Sequence, residues 1–121
     1  MLSKEKISIN KAKILILGVT YKKDIKDLRE SPALDIIDIL TKKKSKVSYV
    51  DPYIPYLDIN SIKLKALKLT KDNIGKQDIV VLVTAHTKFN YSMIANNANL
   101  ILDTRNGFKK ITSKQENIIK L

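Results

Sequence analysis

The stretch IVVLV at 79–83 contains no polar residue, and KILIL at 13–17 has only its leading lysine. A strand with one solvated face alternates polar and apolar positions, whereas an unbroken apolar run belongs to a strand covered on both faces. Two such runs, with helical patterns between strands, point to an α/β domain whose mainly parallel sheet lies between layers of helix. Strands are expected at Lys13–Val19, Lys46–Val50, Asp78–Ala85, Leu100–Thr104 and Asn117–Leu121, with a short edge strand at Ile62–Leu69. Ser31 and Pro32 suit the N-cap and first position of a helix. Ala33, Ile36, Ile37 and Leu40 then recur at i, i+3, i+4, i+7 and give that helix one apolar face. A second, short helix is expected at 90–98. The stretch from Asp51 to Asn60, stiffened by Pro52 and Pro55, reads as loop. Residues 1–12 read as a linker entering one domain at 13–121, with no interior boundary or repeat.

A chain of 121 residues supports a single core. No apolar run approaches the length of a membrane span, and the first ten residues lack the apolar stretch of a signal peptide. With no cysteine, the chain has no disulfide, thiolate metal site or cysteine nucleophile. A cytoplasmic location fits these features. The formal charge of +11 and the pI near 9.8 raise an alternative, a free-standing basic module that binds anions or nucleic acid. Its lysines, however, are spread over nearly every segment. The single run, Lys42-Lys43-Lys44, closes the first helix, where cations complement the helix dipole. Aromatic residues are not interleaved with the lysines as single-strand binders require. A lysine-rich solvated surface is therefore favoured, and a nucleic-acid partner is not expected.

Gly18 ends the first strand. A dinucleotide-binding turn would place its second and third glycines at 20 and 23, but Thr20 and Lys23 stand there, followed by a long charged loop. Open α/β sheets bind ligands beyond the carboxyl ends of their strands. That rule selects the loops after Val19, Val50, Ala85 and Thr104, where the polar stretches TYKKDIKDLRES, DPY, HTKF and DTRN fall. The chain has 21 lysines but two arginines, Arg29 and Arg105, and both lie in these loops. A guanidinium fork suits two oxygens of a phosphate or carboxylate. Pairing with Asp27 and Asp103 is the structural alternative, and the residues alone leave both open. Lys22 is near enough to the strand end to reach an anion, although a solvated loop lysine is the commoner fate. Asp51 occupies the place of a ribose-binding acid, but Asp51-Pro52 is favoured as an ordinary turn opener. His86, the only histidine, lacks an evident orienting partner and is expected to be a loop histidine bonded to backbone. There is no metal-ligand spacing, Walker loop or nucleophile elbow.

ILILGVTYKKDIKDLRESPALDIIDIL, VSYVDPYIP, DIVVLVTAHTKFNYSMIA and LILDTRNGF, taken in order, resemble the C-terminal, UDP-binding domain of the UDP-sugar 6-dehydrogenases. The resemblance runs from about Lys13 to the C-terminus, and TAHTKF and DTRN look more like the UDP-N-acetylhexosamine branch than the UDP-glucose branch. It implies a three-layer α/β/α Rossmann-like fold and a UDP-sugar partner. By the resemblance, Tyr21, Lys22 and Arg105 face the UDP end of the substrate, and Arg29 crosses a cleft to the NAD pyrophosphate. In such enzymes two hydride transfers to NAD oxidise the sugar C6 alcohol to a carboxylate, through a thiohemiacetal and a thioester. The NAD-binding and cysteine-bearing domains are not in this chain, which reads as an excised domain or a split gene product. No hydride transfer by this chain alone, and no appreciable NAD binding by it, is expected.

Overall fold

Successive side chains of a strand point to opposite faces of the sheet, and in β1 (Lys13–Leu17) both sets are apolar. Ile14 and Ile16 join one buried cluster with Ala33, Leu34 and Ile37 of α1 (Pro32–Lys42). Leu15 and Leu17 join a second with Ile74 of α2 (Lys71–Gly75) and Ile94 and Ala95 of α3 (Tyr91–Asn97). Residues of β5 (Ile79–Leu82) divide the same way, Ile79 and Val81 to the first cluster, Val80 and Leu82 to the second. Each such side chain contributes about 1.5–3 kcal/mol on full burial. Helices thus cover both faces, giving the three-layer α/β/α arrangement. The computed structural model describes residues 11–59, 61–111 and 116–120.

The main sheet has the order β2-β1-β5-β6-β7, with β2 at Lys46–Val50, β6 at Ile101–Asp103 and β7 at Ile118–Lys120. Every neighbouring pair is parallel. From β1 the chain crosses through α1 to β2, then returns to β5 on the other side of β1. The strand order reverses between β1 and β5, so the loops leaving their carboxyl ends diverge and open a crevice. α1 is set as its sequence demands. Ser31 Oγ accepts the Ala33 N–H at 3.2 Å, and Pro32 follows at the first turn.

Three features depart from the sequence reading. Within the expected loop after Asp51, Tyr56–Ile59 forms β3, which pairs antiparallel with β4 (Ile62–Lys65) as a separate two-stranded sheet. Pro52 and Pro55 precede β3, so neither removes a ladder donor. Leu57 and Ile62 bury into the α1-side cluster, which holds the hairpin down. The expected edge strand at 62–69 therefore stops at Lys65 and does not extend the main sheet. The one-turn helix α2 was not expected; Thr70 caps it, accepting the Asn73 N–H at 3.1 Å. β1 and β5 also end two or three residues early, for a reason seen at Gly18 below. Residues 1–10 of the expected linker and Leu121 lie outside the described residues. Ala12 is fully buried, and its carbonyl accepts the Lys46 N–H at 2.8 Å. Among the described residues no helix is long and apolar enough to cross a membrane.

Candidate functional site

Gly18 has φ +84°, and a Cβ there would lie 2.3 Å from the Thr84 carbonyl oxygen. Only glycine lets the ends of β1 and β5 approach so closely while the chain turns out of the sheet. Past this turn, Val19 and Thr20 are buried and the chain emerges at Tyr21. The loops after β1, β5 and β6 enclose a cleft of about 800 Å³ at the point where the strand order reverses. Five cationic side chains line it: Lys22, Lys23, Arg105, Lys109 and Lys110. No carboxylate does, among the described residues. Such a cleft suits a small polyanion. Among the described residues it contains no nucleophile paired with a base.

Tyr21, Lys22 and Arg105 meet in this cleft although they come from opposite ends of the chain. Arg105 does not pair its guanidinium with Asp103. Its Nε donates to the Val83 carbonyl at 3.0 Å. Asp103 is buried and accepts the backbone N–H groups of Arg105, Gly107 and Phe108 at 3.0–3.1 Å. That carboxylate folds residues 104–108 into a tight turn and swings Lys109 and Lys110 back over the cleft. A Cβ at Gly107 would sit 2.5 Å from Leu82 Cδ2, so a larger residue there must push that buried side chain aside.

Arg29 does not line the cleft. Its Nε donates to Asp27 Oδ1 at 3.1 Å, and its side chain is 89% exposed. The hydrogen bonds and charge of this pair hold the Asp27 carboxyl below, and the Arg29 guanidinium above, their ordinary pKa values. Of the two arginine–aspartate pairings left open by the sequence, the structure forms one.

Lys23, Lys109 and Lys110 were not singled out from the sequence, nor was Tyr91, which closes one wall. The Tyr91 hydroxyl donates to the His86 carbonyl at 2.7 Å. Burial, with Asp103 and Asp24 nearby, pushes that phenol up to about 12, so it stays neutral at physiological pH. The only local signal for the two lysines was their position just beyond DTRNGF.

The loop after β2 is not part of the cleft. Asp51 is buried. Its Oδ1 accepts the Tyr53 N–H at 2.8 Å, the expected turn, and its Oδ2 accepts the Val19 N–H at 2.8 Å. Oδ2 also lies 2.9 Å from His86 Nε2. His86 is bonded to backbone as expected, through Nδ1 to the Asp24 N–H at 2.7 Å, but it is fully buried and does have an orienting carboxylate. That partner, 35 residues away in sequence, corrects the reading of an unpartnered loop histidine. With Asp51 closed to a ribose and Thr20 and Lys23 in place of glycines, these residues do not fit NAD at the turn after β1.

Residues 15–110 match the UDP-glucose/GDP-mannose dehydrogenase family, UDP binding domain. A UDP-N-acetyl-D-mannosamine dehydrogenase of Methanococcus vannielii is 36% identical over 83 residues, 69% of this chain and 18% of that protein. UDP-glucose 6-dehydrogenase 1 of Arabidopsis thaliana is 43% identical over 47 residues, 39% of this chain and 10% of that protein. The solved UDP-D-ManNAc dehydrogenase of Pyrococcus horikoshii superposes on 98% of this chain and 27% of its own, with TM-score 0.70 and 26% identity. The chain thus spans less than a third of each of these relatives.

Proposed function

The chain belongs to the UDP-glucose/GDP-mannose dehydrogenase family, and from that premise we propose that its cleft holds the UDP end of a nucleotide-sugar. One observation carries the reading. Lys22 and Arg105, from the loops after β1 and β6, converge on a cleft that no carboxylate of the described residues lines, where the strand order reverses. A diphosphate offers several charged oxygens to an ammonium and a guanidinium fork, and the Tyr21 ring, 42% exposed, offers a flat apolar contact beside them. Relatives named for UDP-N-acetyl-D-mannosamine favour a UDP-N-acetylhexosamine as the sugar nucleotide. The binding domain occupies residues 13–121, entered through a linker, and works in the cytoplasm.

In a whole enzyme of this kind, NAD accepts hydride as the sugar C6 alcohol becomes a carboxylate. The share of this chain in that reaction is to bind and orient the substrate. It has no thiol, and its own turn after β1 does not fit a dinucleotide. Arg29, exposed beside Asp27, is on the family resemblance the residue proposed to meet a cofactor held by another domain.

Titration of the chain with UDP, read by amide chemical shifts, tests the reading. Saturable binding near ~1 mM or weaker is expected, because one wall of a divided site lacks the contacts of the other. Shifts should concentrate at Tyr21, Lys22 and Arg105, while NAD leaves them unmoved and no UDP-sugar yields NADH. Tight NAD binding, or duplex DNA binding with a steep salt dependence and no response to UDP, would overturn it.

A further inference from the structure

Resting on that reading of the cleft, we propose that His86 is a positioning residue for the nucleotide, its buried neutral imidazole clamping the 20–24 loop that presents Tyr21 and Lys22. His86 lies behind the cleft, between the rings of Tyr53 and Phe89 at centroid distances of 4.9 and 5.5 Å. The hydrogen bonds assign its protons. A backbone N–H can only donate, so Nδ1, 2.7 Å from the Asp24 nitrogen, accepts and carries no proton. Nε2 then holds the single ring proton, shared between Asp51 Oδ2 at 2.9 Å and, as the longer arm of a bifurcated bond, Thr20 Oγ1 at 3.1 Å. Thr20 directs its hydroxyl proton to the Lys22 carbonyl at 2.8 Å, leaving its oxygen to accept from Nε2.

One ring therefore holds the loop at both ends, through Thr20 and through Asp24. The latter has φ 62°, a left-handed conformation uncommon outside glycine. It is kept there by its carboxylate, which accepts the Thr87 N–H at 2.7 Å and the Thr87 hydroxyl at 2.6 Å. At the loop's other end the Thr84 hydroxyl donates to the Thr20 carbonyl at 2.7 Å.

Protonation of the ring is incompatible with this arrangement. The charged groups around it are the Asp51 carboxylate at Nε2, the Asp24 carboxylate with Oδ1 3.9 Å from Nδ1, and Lys88, whose Nζ sits 4.8 Å from the centroid of the tilted Tyr53 ring. The neighbouring phenols are Tyr53 and Tyr91. A second proton, on Nδ1, would point at the Asp24 N–H. It can be satisfied only by exchanging that N–H for the Asp24 carboxylate, which turns residue 24 over and frees the loop carrying Lys22.

The test uses UDP-N-acetylglucosamine, whose diphosphate is a diester and keeps a constant charge near neutral pH. Two variants bracket the clamp. In His86→Asn the amide oxygen can still accept the Asp24 N–H and cannot be protonated; in His86→Leu neither bond forms. We expect His86→Leu to weaken the probe by about tenfold through loss of preorganisation, and His86→Asn to recover to within about threefold of wild type. A folded His86→Leu that binds like wild type overturns the proposal, and so does a His86→Asn that binds no better than His86→Leu. If His86→Leu does not fold, His86→Asn decides: wild-type binding with a protected Asp24 amide supports the clamp, and wild-type binding with an unprotected one overturns it. Hydrogen exchange at the Asp24 amide, measured without nucleotide, reports the clamp by itself. A protected amide with no probe binding at any pH overturns the reading of the cleft and leaves the clamp in place.

Discussion

Replacing Arg105 with lysine keeps the charge in the cleft and removes the fork. The Nε tether to Val83, at 3.0 Å, fixes the guanidinium plane, and among the described residues its two terminal nitrogens have no protein partner. Presented to a diphosphate, those nitrogens can donate two charge-assisted bonds, each about 1.5–3 kcal/mol. A lysine restores one such contact at most, so one charge-assisted bond is lost. The net loss for Arg105→Lys is about 1.5–3 kcal/mol, or roughly 12- to 160-fold in affinity. Fold stability should barely change, since the tether itself is a single partly buried bond of about 0.5–1.5 kcal/mol. Titration of UDP against wild type, Arg105→Lys and Lys43→Ala checks this, because Lys43 caps the far end of α1, away from the cleft. The wild-type curve should saturate, Lys43→Ala should overlay it, and Arg105→Lys should lose curvature. Equal responses from the two variants would show that Arg105 serves only to bind Val83.

Gly18→Ala must move Thr84 or the strand end and hold a left-handed φ, so a loss of about 2–4 kcal/mol is expected; urea unfolding with an unchanged slope measures it, and an unshifted midpoint contradicts the close approach. Arg29→Ala should leave UDP affinity of this chain unchanged, return the Asp27 carboxyl toward its ordinary range, and raise the Michaelis constant for NAD in a full-length relative carrying the same change; a large loss of UDP affinity would place Arg29 in the cleft. Hydrogen bonds from the Thr87 hydroxyl and amide hold Asp24 below its ordinary 3.8. The stabilisation from this depressed acid is present above 3.8 and is lost as pH falls through the lower, folded value. Thr87→Val should raise the Asp24 midpoint in a carboxyl NMR titration, and an unmoved midpoint would remove the hydroxyl as the cause.

What could be read from the sequence was what is decided locally or by periodicity. The unbroken runs of β1 and β5, the Ser31-Pro32 start of α1 and the Asp51 turn each depend on residues within a few positions. α2 is a single turn, too short to show a period, and YLDI of β3 has meaning only with IKLK opposite it. At the site, Tyr21 was named from the family resemblance, while the strand-end rule, which needs only element order, selected the loops that carry Lys22 and Arg105. It missed Lys109 and Lys110, whose approach depends on a buried carboxylate folding the turn before them. The link between His86 and Asp51 joins two strand ends in space and leaves no trace in spacing.

The same geometry explains why a glycine-poor turn serves here. In a dinucleotide site the backbone itself meets the pyrophosphate, so side chains must be absent from the turn, and the acid ending the second strand must stay open to a ribose. Here the first glycine is kept for a different reason, the contact between Gly18 and Thr84. Thr20 fills the second position with a buried hydroxyl that ties the loop to His86. Asp51 is turned inward against the Val19 and Tyr53 amides. Each of the three groups that would serve a dinucleotide is engaged in holding the chain between residues 19 and 24 in one shape. That shape puts Lys22 on the wall of a cleft shared with Arg105, where the proposed diphosphate would meet long cationic side chains in place of backbone amides. Such side chains can reach a diphosphate from one wall while leaving the rest of the ligand exposed to a second domain, which a turn wrapped around a pyrophosphate could not do.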